Sequence, residues 1–305
     1  MMTAILPPAL TRPIATEKLE TYNRVETYYD VAGPDYAYWS KHFNMHFGYC
    51  NKFTDIFSLE KMLRKMNDQV LKNLQIPAGQ NLEIADLGCG MGAVARHTAG
   101  LYAQARITGT TISGLQIMKG NELCEKNGLS DRVLLIPDNF ENSIIPNETF
   151  DFAYAVESAC HSRFADKRYF ISEMARIMKP GARFCIADGF IKHSNKLPGL
   201  FSRINRKITD CWALPCFGQL YPFIDRLKES GLTNIKVKEI SWNIAPSVAY
   251  VPWTVLKFFV AELWKNKSLK MEKERWNNVK APLLGMILGL YRKHFGYYII
   301  SGEKN

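Results

Sequence analysis

A glycine-rich turn, DLGCGMG (residues 86–92), lies where a run of apolar residues gives way to a helical pattern. Glycine lets the backbone approach a ligand closely, and the first turn of a following helix offers free N–H groups. The spacing is G-x-G-x-G, with Asp86 two positions before the first glycine, whereas dinucleotide sites use G-x-G-x-x-G. The turn therefore predicts a site for a small ligand at Asp86, Gly88 and Gly90.

Two titratable side chains, Glu157 and His161, lie in YAVESACHS (residues 154–162), at the end of a predicted strand. A doubly wound fold binds ligands outside the carboxyl ends of its parallel strands. A carboxylate that is desolvated there can act as a general base, and a histidine can orient it or abstract a proton itself. A purely structural role is the alternative for each of the two residues.

Residues 76–190 alternate apolar runs with helical patterns, which predicts a parallel, doubly wound α/β sheet. Its five predicted strands are LEIADLG, ARITGTTI, RVLLIPD, FDFAYAVES and RFCIADGF. TNIKVKEISWNI (residues 233–244) and GYYIISGEK (residues 296–304) are predicted as two further strands, so that the sheet has seven.

Three regions are predicted along the chain. Residues 1–75 are mainly helical and include the aromatic segment YYDVAGPDYAYWSKHFNMHFGYC (residues 28–50), which fits neither a regular helix nor a regular strand. Residues 76–190 form the core of the sheet. Residues 191–305 add the last two strands, separated by about fifty residues, an unusually long connection. We expect this insertion to cap the site.

The chain has 305 residues, a formal net charge of +10 and seven cysteines. A basic balance suits an anionic small molecule or an acidic membrane surface, or is simply a solvated basic surface. Because the lysines and arginines are scattered, we predict no nucleic-acid partner. No cysteines are spaced as zinc ligands, and their odd number is typical of a reducing compartment.

The N-terminal MMTAILPPALTRP lacks a charged region followed by a long apolar stretch, so it does not resemble a signal peptide. Two apolar stretches, residues 251–264 and 281–300, are interrupted by charged residues and are not predicted to span a membrane. We therefore expect a cytoplasmic protein with at most peripheral membrane contact. The oligomeric state is left open, with a homodimer as one option.

From residue 28 to residue 192 the chain resembles the class I S-adenosylmethionine (SAM)-dependent methyltransferases, in which a D-x-G-x-G-x-G turn holds the methionine portion of SAM. GTTISGLQ (residues 109–116) resembles the version of the second-strand segment found in tocopherol, sarcosine and cyclopropane-lipid methyltransferases, and PDNFEN (residues 137–142) resembles the adenine segment. The resemblance implies SAM as cofactor and a Rossmann-like sheet. It assigns the ribose to Thr111 and Gln116, and the adenine to Asp138, Asn139 and Phe140.

The aromatic segment and YAVESACHS together resemble the sterol, tocopherol and prenyl C-methyltransferase branch, where the matching N-terminal segment is a lid over SAM and the acceptor. This implies that Tyr28 or Tyr29 touches the SAM carboxylate, with Glu157 a further SAM contact. It places Glu157, His161 and Tyr49 in catalysis. Acceptor contacts are then predicted for Trp39, His46, Tyr49, His193 and Arg203.

The branch implies methyl transfer to an alkene carbon of an isoprenoid, through a carbocation that aromatic faces stabilise and Glu157 deprotonates. The basic residues after the fifth strand, His193 and Arg203 among them, favour a prenyl diphosphate such as geranyl or farnesyl diphosphate. Magnesium would then come with the diphosphate, since no protein side chain is predicted as a metal ligand.

Other acceptors remain open on the sequence. A sterol-like or tocopherol-like lipid needs no cluster of positive charge. A small amine, alkaloid or phenol, methylated on nitrogen or oxygen, is the principal alternative, and cyclopropanation of acyl chains is a third.

Overall fold

The computed structural model of the chain describes residues 16–193 and 197–305. The N-terminal stretch used for the prediction of localisation lies outside the described residues. The described part is built on one mixed sheet with the strand order β3-β2-β1-β4-β5-β8-β7, and a two-residue strand, β6, pairs with β5. The strands are β1 (Leu82–Leu87), β2 (Ala105–Thr111), β3 (Val133–Pro137), β4 (Phe150–Val156), β5 (Met178–Ile191), β6 (Gly218–Gln219), β7 (Leu232–Glu239) and β8 (Phe295–Lys304).

Strands β1 to β5 are parallel, and β8 runs antiparallel to both β5 and β7. Helices cover both faces because neighbouring residues of a strand point to opposite sides. Ile84 packs in a core cluster with residues of the second and third helices, and Ala85 packs in another with residues of the fifth and seventh. The helices are α1 (Thr16–Ala32), α2 (Leu59–Leu74), α3 (Ala93–Leu101), α4 (Gly114–Lys126), α5 (Arg168–Ile177), α6 (Gly199–Cys211), α7 (Leu220–Glu229), α8 (Ser241–Val248), α9 (Val251–Asn266) and α10 (Lys273–Leu290).

The prediction of a doubly wound α/β sheet is confirmed. Two other predictions, one for the aromatic segment and one for the end of a strand, are wrong. The aromatic segment is partly regular, because α1 continues to Ala32 and a 3₁₀ helix follows over Gly33–Tyr38. The predicted strand over residues 233–244 ends at Glu239, and α8 begins two residues later. The Ile240 N–H still donates to the Tyr297 carbonyl of β8, but the Ile240 carbonyl accepts from the Ile244 N–H, so the helical hydrogen bonds begin at this residue.

The insertion between β7 and β8 consists of three helices, α8, α9 and α10. By length and apolar composition, Ser241–Asn266 could cross a membrane, although the sequence pattern predicts no span there. Hydrogen bonds join this stretch to the rest of the fold. Ser247 Oγ accepts from the Gly48 N–H at 2.9 Å, and the Cys50 N–H donates to the Asn243 carbonyl at 2.8 Å.

Gly48 lies directly against α2, and this contact fixes the aromatic segment on the fold. A Cβ atom at Gly48 would lie 2.6 Å from Met62 Cβ and 2.8 Å from the Leu63 backbone nitrogen, closer than unbonded atoms approach. The neighbours are backbone and a buried side chain, so they cannot move aside without disturbing α2.

We expect Gly48→Ala to lower the free energy of unfolding by about 1–3 kcal/mol, because the added methyl overpacks a buried contact. Urea denaturation of both proteins measures this difference. Gly100→Ala is the matched control, since Gly100 lies in α3 with open space around it. An equal effect of the two substitutions would contradict the packing argument.

Candidate active site

Two cavities meet at the carboxyl ends of the parallel strands, one of about 470 Å³ and one of about 90 Å³. Both are lined by the same five residues, which lie where one cavity opens into the other. These are Tyr29, Met45, His46, Glu157 and His161. A ligand in the smaller cavity would therefore touch a ligand in the larger one at this junction.

The glycine turn forms one wall of the smaller cavity. Gly88 and Gly90 have φ angles of +76° and +55°, a conformation that favours glycine. A Cβ atom at Gly88 would lie 2.4 Å from Ser158 Cβ, and one at Gly90 would lie 3.0 Å from Met45 Sδ. Any side chain at Gly88 would therefore collide with the loop after β4, and the bare backbone is left to face the cavity.

Asp86 is the second-last residue of β1 and lies at the base of this cavity. Its side chain is buried, and its Oδ2 atom has no hydrogen-bond partner among the described residues. Burial raises the pKa of the Asp86 carboxyl to about 7. A buried carboxylate oxygen without a partner is costly, so this atom fits a ligand that brings a donor such as an ammonium group.

The residues predicted to hold ribose and adenine also line the smaller cavity, and they are oriented by bonds within the protein. The Thr111 hydroxyl donates to Gln116 Oε1 at 2.6 Å. The two carboxylate oxygens of Asp138 accept from Ser143 Oγ at 2.6 Å and from the Ile144 N–H at 3.1 Å. All ten residues predicted to bind SAM line this one cavity, and their individual contacts to it stay predictions.

Glu157 occupies the junction at the end of β4, in the left-handed region with φ +50°. Its Oε1 atom accepts from the Phe47 N–H at 2.7 Å and from the Tyr297 hydroxyl at 2.8 Å. Burial, together with the nearby charge of Asp188, raises the pKa of this carboxyl to about 8. Glu157 therefore holds a proton at neutral pH and releases it under mildly alkaline conditions.

The two histidines at the junction are neutral. Burial, together with the positive charge of Lys167, lowers the pKa of His161 to about 3. Burial also lowers the pKa of His46, to about 4. His161 Nε2 lies 2.8 Å from the Tyr29 hydroxyl, so its hydrogen-bond partner is Tyr29 and not Glu157. A pKa this low makes His161 a weak base.

The larger cavity is lined mainly by apolar and aromatic side chains of the aromatic segment, α8, α9, α10 and β8. Among the described residues that line it, Asp35, Glu157 and Asp188 have carboxyl groups and Arg292 alone has a fixed positive charge. Asp35 forms an ion pair with Arg275 at 2.8 Å. The cavity therefore suits a large apolar ligand better than a polyanion.

Three of the residues that the sequence predicted to contact the acceptor line neither of the two cavities. Tyr49 is buried in the core cluster that contains residues of α2. His193 is exposed and stacks on Tyr221, and Arg203 is exposed on α6. Arg203 points away because the opposite face of α6 packs into an apolar cluster that includes Leu288 of α10. Trp39 and His46 do line the larger cavity.

Sequence reasoning missed Tyr297 and Asp188. Tyr297 comes from β8, 140 residues after Glu157, and no local motif marks it. Asp188 was visible as the only acidic residue in the apolar strand RFCIADGF. Its two carboxylate oxygens accept from the Gly189 N–H at 2.7 Å and the Cys160 N–H at 2.9 Å, and burial raises its pKa to about 6.

Within the described residues, no group of three His, Cys, Asp or Glu side chains could hold a metal ion. All seven cysteines are free thiols.

Comparison with known proteins places residues 84–181 in a methyltransferase domain family. A probable chloroplastic tocopherol O-methyltransferase of Oryza sativa subsp. japonica is 32% identical over 53% of this chain and 45% of its own length. A sterol 24-C-methyltransferase of Eremothecium gossypii is also 32% identical, over 56% of this chain and 44% of its own length. The chain thus spans less than half the length of these curated relatives.

Two solved structures share the fold. The cyclopropane synthase MmaA2 of Mycobacterium tuberculosis has a TM-score of 0.78 at 14% identity, covering 93% of this chain and 98% of its own. A geranyl diphosphate C-methyltransferase of Streptomyces coelicolor, solved with Mg²⁺, geranyl diphosphate and S-adenosyl-L-homocysteine, has a TM-score of 0.67 at 14% identity. It covers 93% of this chain and 98% of its own.

The raised pKa of Glu157 predicts a pH dependence of stability. The folded protein keeps a proton up to about pH 8 that the unfolded chain releases near the ordinary value of 4.5, so ionisation opposes folding between the two. The free energy of unfolding should fall with rising pH in this window, by up to about 1.4 kcal/mol per pH unit for this group.

Glu157→Gln removes this contribution because an amide does not ionise, while its oxygen still accepts both hydrogen bonds. Urea unfolding at pH 6, 7 and 8 should therefore show a shallower pH slope for the variant than for the wild type. Glu125→Gln, at an exposed position on α4, should keep the wild-type slope. Equal slopes for all three proteins would show that Glu157 titrates normally.

Proposed function

We propose, since the chain belongs to the class I SAM-dependent methyltransferases, that it transfers a methyl group to an alkene carbon of an apolar, isoprenoid-type acceptor. The observation that supports this most directly is the apolar cavity of about 470 Å³ that meets the smaller cavity at Glu157. The names of the sterol and tocopherol relatives point to the same class of acceptor.

The residues of the smaller cavity fit SAM. Asp86 offers an unpartnered carboxylate oxygen to an ammonium group, and Gly88 and Gly90 leave room beside their backbone. When bound, SAM supplies an electrophilic methyl group on a sulfonium. The five shared residues would then stand around the point where that methyl group meets the acceptor.

After methyl transfer, the reaction needs aromatic rings that stabilise a carbocation and a carboxyl group that accepts a proton. Methylation of an alkene carbon leaves a positive charge on the acceptor, and the faces of aromatic rings stabilise such a charge. Tyr29, Tyr36 and Trp212 line the cavity. Once ionised, Glu157 can accept the proton that the acceptor loses, and the Tyr297 hydroxyl and the Phe47 N–H hold its Oε1 atom in place.

The charges of the larger cavity favour a neutral acceptor over the prenyl diphosphate expected from the sequence. A diphosphate needs several positive groups or a metal ion with its ligands. Arg292 is the single cationic side chain among the described lining residues, whereas three carboxyl groups line the same space. We therefore favour a sterol-like or tocopherol-like lipid, for which no magnesium is needed.

Methylation of a small amine is the second candidate. Asp188 and Glu157 lie in a cavity with many aromatic rings, and this combination also binds a cationic nitrogen. A neutral amine attacks the methyl group through its lone pair and becomes cationic as the bond forms, so Asp188 and Glu157 would need only to position it.

The two candidates differ in how much they depend on Glu157. Purified protein with SAM would be offered a sterol, a tocopherol precursor, geranyl diphosphate with and without magnesium, and a phenolic amine, with mass analysis of the products. On an alkene acceptor we expect Glu157→Gln to lower kcat by about 10²–10⁴-fold, the usual contribution of a general base. The wild-type kcat should rise with pH through about 8, as Glu157 ionises.

Tyr297→Phe is the matched variant, since it removes one hydrogen bond to Glu157 and leaves the carboxyl group. It should lower kcat less than Glu157→Gln does and shift the pH profile. Turnover of the amine alone, with Glu157→Gln nearly unimpaired, would contradict the alkene mechanism. Turnover that requires geranyl diphosphate and magnesium would overturn the neutral acceptor.

Asp86→Asn should weaken SAM binding, because an amide cannot balance an ammonium group as a carboxylate does. A lost charged hydrogen bond costs about 1.5–3 kcal/mol, or roughly tenfold or more in Kd, which titration calorimetry with SAM measures. Asp151→Asn is the control, since Asp151 is paired with Lys179 and does not line the cavity. An unchanged Kd for Asp86→Asn would remove Asp86 from the cofactor site.

A further inference from the structure

Helix α9 has an apolar face that no part of the described fold covers. Its members recur at helical spacing and are between 48% and 88% exposed, which is unusual for large apolar residues on the surface of a domain. They are Trp253, Leu256, Val260, Leu263 and Trp264, here called the α9 face.

The opposite side of the same helix lines the larger cavity. Val251, Thr254, Val255 and Phe258 all contact that space. A surface helix of a water-soluble domain pairs an apolar inner side with a polar outer side. Helix α9 is apolar on both sides, so its outer side is suited to a second apolar environment.

The charges around the α9 face are positive. Between residues 251 and 270 the only acidic side chain is Glu262, which is buried and forms an ion pair with Arg275 at 2.8 Å. The same stretch contains four basic residues, Lys257, Lys265, Lys267 and Lys270, and the last three follow the apolar face. Because Glu262 is already paired with Arg275, the stretch offers net positive charge to a partner.

Polar contacts hold α9 against the rest of the fold. They are compatible with a helix that lies on a membrane surface but not with one that crosses the bilayer. Lys257 Nζ donates to the Tyr38 carbonyl at 3.2 Å, and the ion pair of Glu262 with Arg275 joins α9 to α10. Crossing a bilayer would break these bonds and open the larger cavity. Trp242 and Leu290 line that cavity and are also more than 70% exposed, so apolar side chains mark its mouth as well.

We propose that the α9 face seats the protein on an anionic lipid bilayer, with the helix in the plane of the interface. Tryptophan and leucine enter the boundary between headgroups and acyl chains, and the lysines contact the acidic headgroups. We assign a lipid surface to the α9 face because exposed tryptophans lie beside an excess of lysines. This inference concerns binding alone and holds whichever acceptor the enzyme methylates.

The test is co-sedimentation of the purified protein with vesicles of phosphatidylcholine and phosphatidylserine, and with vesicles of phosphatidylcholine alone. We expect binding to the anionic vesicles that weakens as salt is raised. The double variant W253Q/W264Q should bind at least about tenfold more weakly, since two interfacial anchors are lost. Leu101→Gln is the control, because Leu101 is about as exposed as Trp253 but lies on α3.

Calorimetric SAM binding shows that the variants are folded, since neither tryptophan lines a cavity. Wild-type protein that stays in the supernatant with anionic vesicles would overturn the proposal, as would a double variant that binds as well as the wild type. Sedimentation velocity without lipid tests the other possible partner of the α9 face, a second copy of the chain. A wild-type dimer that W253Q/W264Q separates, with no vesicle binding, would make the α9 face a contact between two copies and overturn the bilayer.

Discussion

The partly buried carboxyl group of Glu157 accepts hydrogen bonds from the Phe47 N–H and the Tyr297 hydroxyl, so three distant parts of the chain meet at one oxygen atom. Phe47 belongs to the aromatic segment, Glu157 follows β4, and Tyr297 lies in the last strand. Desolvation at this point raises the pKa of Glu157 to about 8. The same burial that costs stability above neutral pH thus prepares a proton acceptor where the two cavities meet.

The charge of the protein is distributed unevenly between its surface and its interior. The net charge is +10, yet the larger cavity is lined by three carboxyl groups and one arginine among the described residues. Arg203 and its basic neighbours on α6 are exposed, because the other side of that helix is packed. A positive net charge therefore says more about the surfaces that the protein meets than about the ligand it encloses.

Apolar surface serves two purposes in the insertion between β7 and β8. The inner side of α9 encloses the larger cavity, and its outer side is left exposed. A lipophilic acceptor and a lipid surface would then both lie against one helix. Such an arrangement would shorten the path of an acceptor that has low solubility in water.

The sequence by itself determined the α/β sheet, the glycine turn and the residues of the smaller cavity, because strand and helix periods are local and because Asp86, Gly88 and Gly90 lie within one turn. Contacts between distant segments were decided by the tertiary structure. Tyr297 reaches Glu157 only because β8 pairs with β5, and Tyr49, His193 and Arg203 were predicted near the acceptor but point elsewhere. A side chain's residue type shows what chemistry it can do, whereas the packing of its helix or strand decides which space it faces.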